Sequence, residues 1–461
     1  GKLLTLDAAT PTITVAADRT ATINSRLTST AEIVKTGAGT LLLNGRNEST
    51  AGMAVNAGTL VLARVNDNLS PASSLTINNG GTVLLANINP MGAPNVTPVT
   101  INSGGLMTMS DNWSVNIGSL TLDGGELSSN GFFDGTYGSY FLRDDVIVDA
   151  TSTISAVKVT APEARAFDVA AGGTLNVTGS FSSLFGSFGL IKAGDGAMVL
   201  SGANDYIGDT WVDAGSLEIT DTGSLLCKLT GTANNIVTSS GLGTLAFNGA
   251  LDFDLSTADL TDGNNWTVIE VGFFSAAPSF GSTFSVTSNA GAFDETSPGS
   301  GIWELVDGNN TWTFTESSGE LSLAVTSGDP FLSWIDASWP SLSDKTPTGD
   351  PDDDGIENIL EYVLLGGDPS VSNPAILPTL DASGANFVFS FTRRTASTTD
   401  TTQAFQYGNN LSGWTDVPVA DGTYGDVIVS VSAVGDNDEI VITVPKGVNN
   451  KLFGRLKVSK P

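Results

Sequence analysis

The residues best suited to chemistry lie between Asp350 and Glu361. The stretch Asp350-Pro351-Asp352-Asp353-Asp354-Gly355-Ile356-Glu357-Asn358-Ile359-Leu360-Glu361 places carboxylates at its first, third, fifth and twelfth positions. A hard cation such as Ca²⁺ takes six to eight oxygen ligands, and this spacing, with a backbone carbonyl at the seventh position, wraps them around one ion. The expected ligands are Asp350, Asp352, Asp354, the Ile356 carbonyl and a bidentate Glu361, with Gly355 making the bend. A weak extracellular site of this kind stays filled at millimolar calcium, so the role expected for Ca²⁺ is to neutralise carboxylates and brace a junction rather than to sense. A solvated acidic turn without metal is the competing reading.

For those oxygens to converge, the chain on both sides must be held. Ile356, Ile359, Leu360, Val363 and Leu364 recur at helical spacing and predict a short helix ending near Gly366-Gly367, while residues 331–339 predict an incoming helix stopped by Pro340. The loop resembles those of EF-hand, dockerin and thrombospondin type 3 repeats over the residues just named, and Asp350-Pro351 favours the looser extracellular version.

Other chemistry is scarce. There is no histidine and one cysteine, which excludes Ser-His-Asp and Cys-His nucleophiles, His-ligated zinc and an internal disulfide. A net charge of 19 − 49 = −30 makes nucleic acid and anionic membranes poor partners. No apolar run approaches the roughly 18 residues of a membrane span. Asp252 and Asp254 could form the paired carboxylates of a polysaccharide-cleaving site, but such i, i+2 pairs are common on solvated strands, so an enzyme is not expected. Gly1 leads straight into alternating sequence, which suggests numbering after a removed secretion signal.

Sliding the sequence along itself by 157 residues aligns 35–62 with 192–219 without a gap, and ten of 28 positions are identical, among them Lys35, Gly37, Gly39, Asn47 and Gly58. Shorter versions recur around Gly80-Gly81, Gly104-Gly105, Gly124-Gly125 and Gly172-Gly173. In each, alternating apolar residues, such as Leu75 and Ile77 then Val83 and Leu85, run into Asn, Asp or Ala and then glycine. The two-residue period puts the apolar side chains on one face, and Gly and Asn supply the positive φ of a corner. Short strands and corners at a period of roughly 20–25 residues describe rungs that bury their inner faces on one another. The expected fold class is all-β. A right-handed parallel β-helix (solenoid) spans 1–250, a β-rich cap or continuation 251–328, a calcium-binding helix-loop-helix linker 329–371, and a small antiparallel β-sandwich 372–461. An array of unstacked sandwiches is the alternative.

The segment from Gly194-Asp195-Gly196-Ala197-Met198 through Asn204-Asp205-Tyr206 to Val212-Asp213-Ala214-Gly215-Ser216-Leu217 resembles the autotransporter-associated β-strand repeat of large bacterial surface proteins; 35–62 is a weaker match, with Ser49 where Tyr206 stands. The resemblance implies a secreted or surface-displayed passenger and specifies no catalytic residue. The strands of a membrane-barrel translocator are not evident at the C-terminus, so self-transport is not expected. Asn410-Leu411-Ser412-Gly413-Trp414 resembles the end domains of secreted β-strand-repeat proteins.

The aromatic residues Trp266, Phe273, Phe274, Phe284, Trp303, Trp312 and Phe314 read better as a core capping the coil than as a sugar-stacking platform, and Trp414 likewise as core. Residues 251–370 hold 21 acidic residues and one basic, Lys345, whereas the last 16 hold five basic residues and no acidic one. This polarity, with strand-like Leu3–Leu6 offering an unpaired edge, predicts a head-to-tail interface through Leu4, Leu6, Lys451, Arg455, Lys457 and Lys460. The function expected is a secreted, calcium-braced structural protein that polymerises with itself into an extracellular fibre, sheath or surface lattice. The alternative is an adhesin or glycan-binding module on a solenoid stalk, whose partner would be extracellular polysaccharide or a cell surface.

Overall fold

Side chains that alternate with a period of two must leave the backbone on opposite faces of a strand, and the chain coils so that one of those faces is always inside. The computed structural model describes residues 2–65, 69, 74–91, 97–111, 113–131, 133–135, 137–184, 186–326, 328–446 and 452–460. It comprises two compact units, Gly1–Val325 and Thr326–Pro461.

The first unit is a parallel β-solenoid. A twelve-stranded parallel sheet stacks in chain order from Thr20–Ile23 to Ser279–Phe280, and an eleven-stranded one from Thr12–Thr14 to Val237–Thr238. The third side is broken into shorter groups: Leu3–Leu6 on Arg26–Ser29, four strands from Val115–Ile117 to Ser180–Ser182, and a last group that includes Ser224–Gly231 and Ala250–Ala258. Register places Leu41, Leu60, Val83, Met107, Leu127, Ile154, Val177, Leu200, Ile219 and Phe247 in one column. All ten are buried. Full burial of one such side chain is worth about 1.5–3 kcal/mol, and a one-residue slip would turn the whole column out to water, so the register is fixed by the core. At one corner Asn78 Nδ2 donates to Asn56 Oδ1, and Asn102 Nδ2 to Asn78 Oδ1, each at 2.6 Å, which continues the stacking outside the sheets.

Corner glycines answer to sterics. Gly37 (φ +73°) and Gly194 (φ +71°) occupy equivalent turns, and a Cβ on either would strike the carbonyl of the rung beneath, Val15 or Val169. Any side chain there meets both the left-handed backbone and a filled space.

After Ala250–Ala258 two more parallel strands, Ser279–Phe280 and Ser285–Ser288, stack on the coil. The coil gives way to an antiparallel sheet in the order Asn265–Thr267, Glu320–Val325, Asn310–Thr315, Ile302–Asp307, Asp294–Glu295. Trp266, Trp312, Phe284 and Phe314 are buried with the solenoid core, while Trp303 packs on it partly exposed. Phe280 and Phe284 lie 4.8 Å apart, and Trp303 meets Phe284 edge-on at 5.4 Å. Phe273 departs from the expected core and is 58% exposed. This end of the coil is therefore covered by aromatic packing within the chain.

The second unit contains helices Pro330–Ser338 and Asn358–Val363, and two antiparallel sheets. One sheet has five strands, Thr379–Asp381, Asn386–Arg394, Asn437–Pro445, Val427–Val434 and Gly422–Tyr424; the other has Thr415–Pro418, Thr402–Gly408 and Phe453–Ser459. Phe391, Phe405, Val417, Val429, Ile440 and Ile442 fill the core. Asp329 caps the first helix by accepting from the amides of Phe331 and Leu332. Among the described residues no helix is long and apolar enough to cross a membrane.

Candidate functional site

The acidic loop is turned back on itself by its own hydrogen bonds. The amide of Asp354 donates to Asp350 Oδ1 at 3.1 Å and to Asp352 Oδ1 at 3.2 Å, and that of Gly355 to Asp350 Oδ2 at 2.9 Å. Gly355 has φ +85° and Asp353 φ +58°, the left-handed geometry that turns the backbone around a centre. Carboxylate oxygens of Asp350, Asp352 and Asp354 lie within 4.8 Å of one another. The base of the loop is fastened by Asn358, whose Nδ2 donates to the carbonyls of Asp344 (3.0 Å) and Thr346 (2.9 Å).

Among the acidic residues of the loop Glu361 is the buried one. It sits on helix Asn358–Val363 and is fully buried. Its Oε1 accepts from the amide of Asp368 at 3.2 Å, whereas Oε2, like Asp352 Oδ2, is buried with no partner. Burial pushes the Glu361 carboxyl up to about 7, and the nearby charges of Asp352, Asp354 and Asp368 push the same way. A buried carboxylate with one oxygen unpartnered and like charges nearby is costly unless a cation joins it. These donors fit a calcium ion: all are hard oxygens, and two of them lack any other partner. Ile356 is buried and its amide donates to Asp354 Oδ1 at 2.9 Å.

Of the residues expected at an assembly interface, Leu4 and Leu6 lie in the first unit and Arg455, Lys457 and Lys460 in the second. Leu4 is 40% exposed on strand Leu3–Leu6, and Leu6 packs against the solenoid core. In the second unit Arg455 Nε donates to Gln406 Oε1 at 2.7 Å, and its guanidinium lies 4.4 Å over the Trp414 ring. Trp414 is half-buried rather than a core residue. Lys457 faces Asp416 at 3.9 Å on the surface. Lys460 joins Asp329 and Asp400, the latter at 3.2 Å, and its ammonium lies 5.3 Å from the Phe331 ring centre. Lys451 lies outside the described residues.

Two buried lysines escape sequence reasoning as structural ties. Lys35 and Lys192, 157 residues apart, are both fully buried. Lys35 Nζ donates to the carbonyls of Thr36 (3.1 Å), Gly37 (2.7 Å) and Ala57 (2.8 Å); Lys192 Nζ donates to those of Ala193 (2.9 Å), Gly194 (2.7 Å) and Ala214 (3.0 Å). Each ammonium ties a corner to the corner of the next rung with all three donors used. Burial pushes Lys192 down to about 8, opposed by Asp168 and Asp195, and lowers Lys35 as well. The available signal was phase: Ile33 and Lys35, like Leu190 and Lys192, occupy the inward positions of their strands.

The passenger-associated-transport-repeat model matches residues 33–62 and 190–219, each spanning one lysine corner and the strands on either side. The solenoid carries passenger-type transport repeats. Both passenger repeats contain the inward lysine, the left-handed glycine after it, and a buried asparagine, Asn47 or Asn204. A 69-residue stretch is 46% identical to the Adhesin BmaC autotransporter of Brucella suis biovar 1 (strain 1330). That stretch is 15% of this chain, and the chain spans 2% of the length of that adhesin. No solved structure matches the chain.

Proposed function

We propose that this chain is part of a bacterial surface adhesin, with the passenger-repeat solenoid as its extracellular body and without catalysis of its own. The observation that carries this reading is the presence of two passenger-associated transport repeats in a chain that also holds a 69-residue stretch 46% identical to an autotransporter adhesin. The geometry agrees: the core column, the corner lysines and the asparagine stack spend their chemistry on stacking rungs. The adhesin reading has better support than the head-to-tail fibre. The aromatic cap occupies one end of the coil, and Lys460 is engaged inside its own unit. Beads coated with the purified chain should attach to host cells or polysaccharide films above the level of albumin-coated beads, and soluble chain should compete. Attachment at the albumin level on every surface would refute the reading.

The second unit we read as calcium-braced. Asp350, Asp352, Asp354, the Ile356 carbonyl and Glu361 would hold the ion, which would neutralise the converging carboxylates and give Glu361 Oε2 and Asp352 Oδ2 their missing partner. Titration with calcium followed by calorimetry should show one site that Asp354→Ala abolishes; heat from calcium that survives Asp354→Ala would refute this placement.

A further inference from the structure

We infer that a recess beside the aromatic cap receives an amino-sugar unit of a polysaccharide, between the carboxylates of Glu295 and Glu316 and the rings of Phe280 and Trp303. Two adjoining hollows of about 390 and 470 Å³ share Phe280, Gly299, Gly301 and Glu316. Their size is in the lower range of small-ligand sites. The loop that bounds them carries left-handed Gly299 (φ +76°) and Gly301 (φ +65°), so no side chain from these two positions fills the space.

The lining is charged and hydrogen-bonded. Glu295 Oε1 accepts from the amide of Gly301 at 3.0 Å, and Glu316 Oε1 accepts from the indole N–H of Trp303 at 2.8 Å. Each half-buried carboxylate is thus aimed by one neutral donor. Among the described residues neither forms an ion pair, and residues 251–325 contain no lysine or arginine. Two uncompensated carboxylates beside aromatic rings favour an organic cation, because the ring faces and the charges attract it together. An acidic sugar would be repelled, and a neutral sugar would leave the charges unanswered. A lysine side chain would meet the charges and a ring but has no hydroxyls for the serines at the edge. A glucosamine-type unit uses all of the lining: its ammonium meets the carboxylates, its flat face a ring, and its hydroxyls Ser282, Ser300 and Ser317, which edge the hollows.

The inference rests on the adhesin reading for its setting, and its test separates the two. The full chain is titrated by calorimetry with a glucosamine hexamer, its N-acetylated counterpart, cellohexaose and hexalysine. The glucosamine hexamer should bind at least tenfold more tightly than the other three, and Ser300→Arg, on the exposed loop, and Glu316→Gln should each weaken it at least tenfold. Unaltered melting curves would show both variants folded; if Glu316→Gln disturbs the cap, Glu295→Gln with Ser300→Arg decides. Absence of binding, binding unchanged in Ser300→Arg, or equal affinity for hexalysine or the N-acetylated hexamer would overturn the proposal. In the bead assay, attachment by a protein that binds no glucosamine hexamer would overturn the recess and leave the adhesin reading intact. Sugar binding without bead attachment would overturn the adhesin reading alone.

Discussion

Replacing Glu361 by glutamine should reverse its effect on stability according to whether calcium is present. In chelator the wild-type carboxyl titrates near 7 in the folded chain against its ordinary 4.5. A folded-state value that lies above the unfolded one means stability is greatest below about 4.5, declines as pH rises to about 7, and is flat above. The displacement corresponds to a penalty of at most about 3 kcal/mol at pH 8. Glutamine has no charge to bury, and its Oε1 still accepts from the Asp368 amide that Glu361 holds at 3.2 Å. In chelator at pH 8, Glu361→Gln should therefore melt higher than wild type, by up to roughly 10 °C for a unit of this size. At pH 4 the two should coincide. In calcium the order inverts, because the wild type regains a charged ligand and the variant lacks one. The assay is thermal unfolding followed by tryptophan fluorescence, paired with hydrogen exchange of helix Asn358–Val363. A variant that is less stable than wild type in chelator at pH 8, or a stability order indifferent to calcium, would refute the reasoning.

Lys192→Met leaves three part-buried carbonyls without their donor; a loss of about 2 kcal/mol is expected, against about 0.5 for ordinary surface changes, with faster exchange at Leu190–Ala193 and Thr210–Val212. Gly194→Ala, a change that stabilises by about 0.4–1 kcal/mol where the backbone is compatible, should here destabilise by more than about 1 kcal/mol, since φ +71° and the Val169 carbonyl both oppose a Cβ; a neutral denaturant melt would contradict this. Asp438→Asn breaks the buried pair with Arg393, 2.8 Å between Oδ2 and Nε, and should cost the second unit about 3–5 kcal/mol in urea unfolding. Lys460→Met should loosen the start of helix Pro330–Ser338 in hydrogen exchange, because its ammonium serves both Asp329 and Asp400.

What the sequence made legible was whatever is local or periodic. The inward column Leu41, Leu60, Val83 is written as a period of two, and Gly37 and Gly194 mark corners because few other residues tolerate them. The acidic loop is likewise a pattern of twelve consecutive residues. The burial of Glu361 was not legible, since it depends on Asp368 returning beyond the helix to meet Oε1. Lys460 reads as a free cation near the chain end until the fold brings Asp329, 131 residues away, against it. Lys35 and Lys192 were visible as identities but not as corner ties, because a charged residue in an inward phase has meaning only once the carbonyls of the next rung are in place. Glu295 and Glu316 meet around Gly301 only through the pairing of strands in the cap.

The claim that this chain is an adhesive extracellular body is tested most directly by displaying it on a non-adherent bacterium and counting cells retained on host monolayers under flow. The account predicts retention well above that of the parent strain, removed by prior addition of soluble chain. Retention equal to the parent at matched surface expression would contradict it.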